Sequence, residues 1–151
     1  GLSIHPEKTK LVRFGRPPRG DAPEGNGTVD FLGFTYFWAK SRRGKWIIKK
    51  KTRGARVNRF VKSIWQWCRI NRHEPLEEQH KQLCLKLRGH YQYYAVNHNY
   101  QALNDVWHHS KRAWHYWLSK RCSKGVLIWD NFESIMNTKF PLPRSRILHQ
   151  I

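Results

Sequence analysis

TVDFLGFTYFWAKSRRGKWIIKKKTRGARVNRFVKSIWQWC, Thr28–Cys68, changes its hydrophobic period once, and the fold class follows from where it does so. In the first half Val29, Phe31, Gly33, Thr35 and Phe37 alternate with Asp30, Leu32, Phe34, Tyr36 and Trp38, a period of two in residues of high strand propensity. Ser41–Gly44 reads as a turn and Lys45–Lys50 as the returning strand, which makes a hairpin with a cationic tip. From Ala55 the period lengthens. Val57, Phe60, Val61, Ile64, Trp65 and Cys68 lie at i, i+3, i+4, i+7, i+8 and i+11, the stripe of an amphipathic helix. Arg53, Arg56, Arg59 and Lys62 recur beside that stripe, so a cationic face adjoins the buried one.

Downstream, Glu74-Pro75 breaks the helix and places Pro75 in the first turn of the next, with Glu77 and Glu78 at its positive end. The second helix runs through Leu76, Leu83, Cys84, Leu87, Tyr91 and Tyr94 and ends at Asn97–Asn99. A third carries Leu103, Val106, Trp107, Ala113, Trp114, Trp117 and Leu118, which makes its tryptophans core residues. Ser123–Gly125 is a turn, Trp129, Phe132, Ile135 and Met136 mark a short fourth helix, and the tail is extended. Upstream, Lys10–Phe14 reads as a strand and the Pro- and Gly-rich Gly15–Gly27 as a loop. The expected class is α+β: a short N-terminal β-hairpin region over 1–52, a three-helix domain over 53–122, and a C-terminal helix with an extended tail over 123–151.

Charge narrows the function. The chain has 29 Lys and Arg against 10 Asp and Glu, a net +19, and no acidic residue between Phe31 and His73. Solvated faces ordinarily mix signs, so this stretch asks for a polyanion to neutralise it. No apolar run approaches the ~20 residues that cross a bilayer, which leaves nucleic acid preferred to membrane. Candidate phosphate contacts are Arg42, Arg43 and Lys45 at the turn, Lys49, Lys50 and Lys51 on the return strand, and Arg53, Arg56 and Arg59 on the first helix. Arg88 and His90 on the second helix and Lys111, Arg112, Lys120 and Arg121 on the third complete the set. Trp38 and Trp46 flank the basic turn, where they are expected to stack on bases or, the preferred reading, to pack on each other across the strands.

Other chemistry finds less support. The nine His lack metal-ligand spacing, since His108 and His109 are adjacent and His90 and His98 have no carboxylate between them, so they are read as surface or RNA-facing groups and no metal is expected. Asp105, Asp130 and Glu133 are read as caps or solvated charges, and no phosphate-cradling GxxxxGK[ST] loop occurs. Cys68, Cys84 and Cys122 are odd in number and widely spaced, which suits a reducing, cytoplasmic setting. The absence of an initiator Met at Gly1 suits a piece of a longer protein.

Four segments in order carry a resemblance: GLSIHPEKTKLVRFG with VDFLGF, LRGHYQYYAVNHN at Leu87–Asn99, WLSKRCSKG at Trp117–Gly125, and LIWDNFESI ahead of an Arg146-Ile147-Leu148-His149 tail. Together they resemble the C-terminal part of group II intron reverse transcriptases, from the end of the polymerase palm through the thumb and maturase-specific region. The resemblance implies that Lys8 is an auxiliary palm lysine near the incoming nucleotide. It also implies that Phe31, Leu32, Gly33 and Phe34 form a primer-grip hairpin, and that the helical unit grips intron RNA and RNA/DNA duplex. Arg88-Gly89-His90 stands where the family commonly has Arg-Gly-Trp, and the Tyr-x-Asp-Asp carboxylates that hold Mg²⁺ belong upstream and are absent. The chain is therefore expected to be no enzyme by itself and to hold no cofactor, with Mg²⁺ needed only by a full-length polymerase whose fingers and palm would be its partner. A stand-alone basic RNA-binding or architectural protein is the alternative.

Overall fold

The computed structural model describes residues 11–17, 27–121 and 127–149. It is mixed α+β, a three-stranded antiparallel sheet followed by four helices: β1 (Val29–Phe31), β2 (Phe34–Lys40), β3 (Trp46–Thr52), α1 (Gly54–Ile70), α2 (Leu76–Tyr94), α3 (Tyr100–Ser119) and α4 (Trp129–Thr138). The chain divides into two compact units, Gly1–Lys51 and Thr52–Ile151.

In the first unit the sheet order is β1-β2-β3. The alternating run expected as one strand is two strands, because Leu32 and Gly33 both take positive φ, 48° and 84°. Two consecutive positive φ values are what a tight two-residue hairpin turn needs to match strand twist, and the register follows: Phe31 faces Phe34, Asp30 faces Thr35 and Val29 faces Tyr36. The Thr35 hydroxyl donates to Asp30 across this pair at 2.6 Å. The second turn closes where expected. Ser41 N–H donates to the Lys45 carbonyl at 2.8 Å, Gly44 N–H returns to Ser41 at 3.0 Å, and Gly44 takes φ 71°. Leu11–Phe14 forms no strand, which corrects the reading of Lys10–Phe14 over its described part; Leu11 is fully exposed and Phe14 stacks on Trp38 at 5.7 Å. Trp46 lies under Lys40.

The second unit holds the core. Ile64 and Cys68 of α1, Leu83, Cys84, Leu87 and Tyr91 of α2, and Leu103, Val106, Trp107, Ala113, Trp114 and Leu118 of α3 are buried together. Phe132 and Met136 of α4 and Leu142 of the tail join the same cluster, so α4 and the described tail pack as part of the helical unit. Trp65 and Trp117 are only half-buried, unlike Trp107 and Trp114. Pro75 sits at the N-cap of α2, one residue before the helix. Its neighbourhood is pinned by Gln79, whose amide donates to the Glu74 carbonyl at 2.7 Å and whose Oε1 accepts from Trp114 Nε1 at 2.9 Å. Asn99 does comparable work at the far end of α2. It accepts from Thr52 N–H and donates to Thr52 Oγ1 and the Tyr94 carbonyl, all at 2.7 Å, so a buried polar residue has its hydrogen-bonding needs met. The tail returns to the same place, with Leu148 and His149 N–H both donating to the Ala95 carbonyl.

Candidate nucleic-acid interface

The α1 sequence sorts its side chains by period. Val57, Phe60, Val61, Ile64 and Cys68 turn inward, and the opposite face presents Ala55, Asn58, Arg59, Lys62, Ser63 and Gln66, which line an open groove along the helix. Arg59, Lys62 and Arg69 are exposed, and α1 has no acidic residue to answer them. Its N-terminus has no side-chain cap and no acidic residue in its first turn, whereas α2 has Glu77 and Glu78 and α4 has Asp130 at that end. The positive end of the α1 dipole thus lies among cations, an arrangement that a phosphate relieves.

The hairpin unit offers a second cationic surface. Arg42, Arg43 and Lys45 project from the β2–β3 turn, Lys49 and Lys50 are half-buried on β3, and Lys51 is exposed with its ammonium 5.4 Å from the Phe37 ring. Resting long basic stems on aromatic rings keeps the charged heads outward. Arg53, Arg56, Arg88, Arg112, Lys120 and Arg121 of the helical unit are also exposed, with Arg121 donating to the His73 carbonyl at 3.1 Å. Lys111 forms an ion pair with Glu133.

Two expected contacts are corrected. His90 is buried at 8% exposure, its ring 4.2 Å from Phe60 and 4.6 Å from Tyr94, and burial pulls its pKa down to about 4. A neutral imidazole inside an aromatic cluster cannot meet a phosphate. Lys111 is buried at 6%, paired to Glu133 and lying 5.3 Å from the Trp107 ring and 5.4 Å from Trp129. Its charge is already matched within the fold by Glu133, a partly exposed carboxylate that is an ion-pair partner as well as a solvated charge. Helical spacing already marked both: His90 follows Leu83 by seven and Leu87 by three, and Lys111 lies between Trp107 and Trp114 on the core stripe of α3. Asn58, Ser63 and Gln66 were missed although they line the exposed groove of α1, as was Arg69 at its flank over Trp117. Lys8 lies outside the described residues.

Phe31 and Leu32 are 60% and 66% exposed at the tip of the β1–β2 turn, whereas Phe34 beside them is buried. The four residues named for a primer grip are thus together in one turn, with two apolar side chains outward.

The two described cysteines, Cys68 and Cys84, are free and buried. Burial pushes the Cys68 thiol up to about 12 and raises that of Cys84. Cys84 Sγ is 3.2 Å from His80 Nε2, but that nitrogen also lies 3.0 Å from the Pro141 carbonyl, a partner that only an N–H can satisfy. The imidazole therefore donates there and cannot act as a base toward the thiol. Among the described residues no group of three His, Cys, Asp or Glu could hold a metal ion, and no helix is long and apolar enough to cross a membrane. The cavity between Trp107, Met136, Leu142 and Arg144 is about 130 Å³, smaller than the ~300 Å³ at which ligand pockets begin.

No protein-family model, curated protein or solved structure matches this chain.

Proposed function

We propose that this chain is the RNA-binding C-terminal part of a group II intron reverse transcriptase/maturase. It holds intron RNA and template–primer duplex through phosphate contacts, in support of splicing and of RNA-directed DNA synthesis. The reading rests on the exposed face of α1, where Arg59 and Lys62 lie among Asn58, Ser63 and Gln66 and no carboxylate intervenes. Guanidinium and ammonium groups neutralise phosphates, and the short polar side chains hydrogen-bond to phosphate or ribose oxygens. The order of the four sequence segments supplies the intron assignment. Polymerisation belongs to the parent protein, whose palm carboxylates would hold Mg²⁺ and whose fingers and palm would be the protein partner. Within it, the Phe31–Phe34 turn would seat the primer end.

Fluorescence anisotropy with a labelled structured intron RNA, titrated against salt, tests this. Affinity is expected to fall roughly 100-fold between about 50 and about 200 mM monovalent salt, as release of several counterions requires. A salt-independent affinity would end the phosphate reading. Equal affinity for intron RNA and random-sequence RNA would remove the intron role and leave a general RNA binder.

A further inference from the structure

The seam between α1 and α3 carries aromatic rings among its charges. Trp65 of α1 sits 5.4 Å from Tyr116 of α3, and Tyr116 sits 5.1 Å from Trp117 with the two rings nearly perpendicular at 88°. Cations lie over the rings: Arg69 over Trp117 at 5.9 Å and Lys120 over Tyr116 at 5.7 Å, so a base that stacks on Tyr116 displaces the flexible, exposed Lys120 side chain. Tyr116 is 43% exposed, and Trp65 and Trp117 are half-buried. Lys62 on α1 and Arg112 on α3, each about one turn away, extend the positive charge. α1 has no carboxylate, and Asp105 of α3 is about three turns before Tyr116.

Phosphate binding alone does not call for rings. A duplex presents its phosphates and hides its base faces, whereas a single strand offers both, and every base has a face that stacks on an aromatic side chain. We propose that this seam is a stacking platform for unpaired nucleobases: the α1 cations hold the backbone of a single-stranded RNA segment while Tyr116, braced by Trp65, receives a base. The inference rests on the phosphate-binding reading above and adds the strandedness of the ligand at this face.

The 151-residue chain is titrated at fixed low salt with an oligouridylate, with an abasic ribose-phosphate strand of equal length, and with a blunt duplex. The base-bearing strand is expected to bind at least about fivefold tighter than the abasic one, the yield of a single stacked base. Tyr116→Ala should bring the two within about twofold of each other, and Tyr116→Phe should preserve the difference. If Tyr116→Ala does not fold, Tyr116→Leu keeps the apolar contact, removes the π face, and carries the same expectation. Equal binding of base-bearing and abasic strands by the unaltered chain assigns the rings to packing or to a protein partner and overturns the proposal. So does a preference that survives Tyr116→Ala or Tyr116→Leu. Binding that is absent for all three ligands instead defeats the phosphate reading beneath it.

Discussion

Leu32 occupies a backbone conformation that its side chain resists, φ 48°, and holds that side chain 66% exposed. A non-glycine residue in the left-handed region costs roughly 1 kcal/mol, and no burial of the leucine offsets it. Leu32→Gly is therefore expected to stabilise the β1–β2 hairpin by about 1 kcal/mol in chemical denaturation; if the primer-grip role holds, it weakens template–primer binding. Gly89 poses the opposite case. A Cβ there would meet nothing within 4 Å, so no neighbour within the described chain requires the glycine. Gly89→Ala should stabilise α2 by up to ~1 kcal/mol, read as a higher denaturation midpoint at constant slope. Reduced RNA affinity in the same variant would place the ligand backbone against this turn of α2. His90 makes the fold sensitive to acid. Its folded pKa of about 4 lies below the ordinary 6.5, so between those values the unfolded chain binds a proton that the folded chain refuses. Its contribution is complete above pH 6.5 and is lost as pH falls toward 4, by about 3 kcal/mol at the lower end. His90→Phe, which cannot charge, should flatten urea-midpoint profiles across that window.

At the scale of elements, α1 separates folding from binding by face. Arg59 and Lys62 are exposed opposite the stripe that packs on the core, so Arg59→Ala with Lys62→Ala should leave the thermal midpoint nearly unchanged. The same pair should reduce the slope of log affinity against log salt by about 2. A slope identical to that of the unaltered chain would move the interface away from α1. The start of α1 is fixed from outside the helix, because Asn99 at the N-cap of α3 holds both the N–H and the hydroxyl of Thr52, at the end of β3. Asn99→Ala strands a buried N–H and is expected to cost about 3 kcal/mol in urea unfolding, within the range for a buried polar group left without its partner.

At the scale of the whole molecule the two units are unequal. Among the described residues Phe34 is the one buried hydrophobic residue of the first unit, so amide exchange in β1–β3 should run well ahead of that in the paired core helices α1 and α3. The net +19 charge gives salt two opposite effects: moderate salt should raise the melting temperature by screening self-repulsion while weakening RNA affinity. The apolar periods in the sequence were enough to determine the α+β class, the four helices, the basic hairpin turn and the acid-free face of α1. They did not reveal the turn inside FLGF. Strand alternation runs unbroken through Leu32-Gly33, and the Asn or Asp that usually signals such a turn is absent. Nor did they decide the fate of His90 and Lys111. Both lie on inward stripes, but whether a titratable side chain can stay inside depends on groups far along the chain. Phe60 and Tyr94 enclose a neutral imidazole, and Glu133 and two tryptophans receive an ammonium. Periodicity is a local property of the chain and fixes the direction in which a residue points; the surroundings of a buried polar group are supplied only by tertiary structure, an ion-pair partner for Lys111 and, for His90, aromatic packing that leaves its Nε2 without a hydrogen bond.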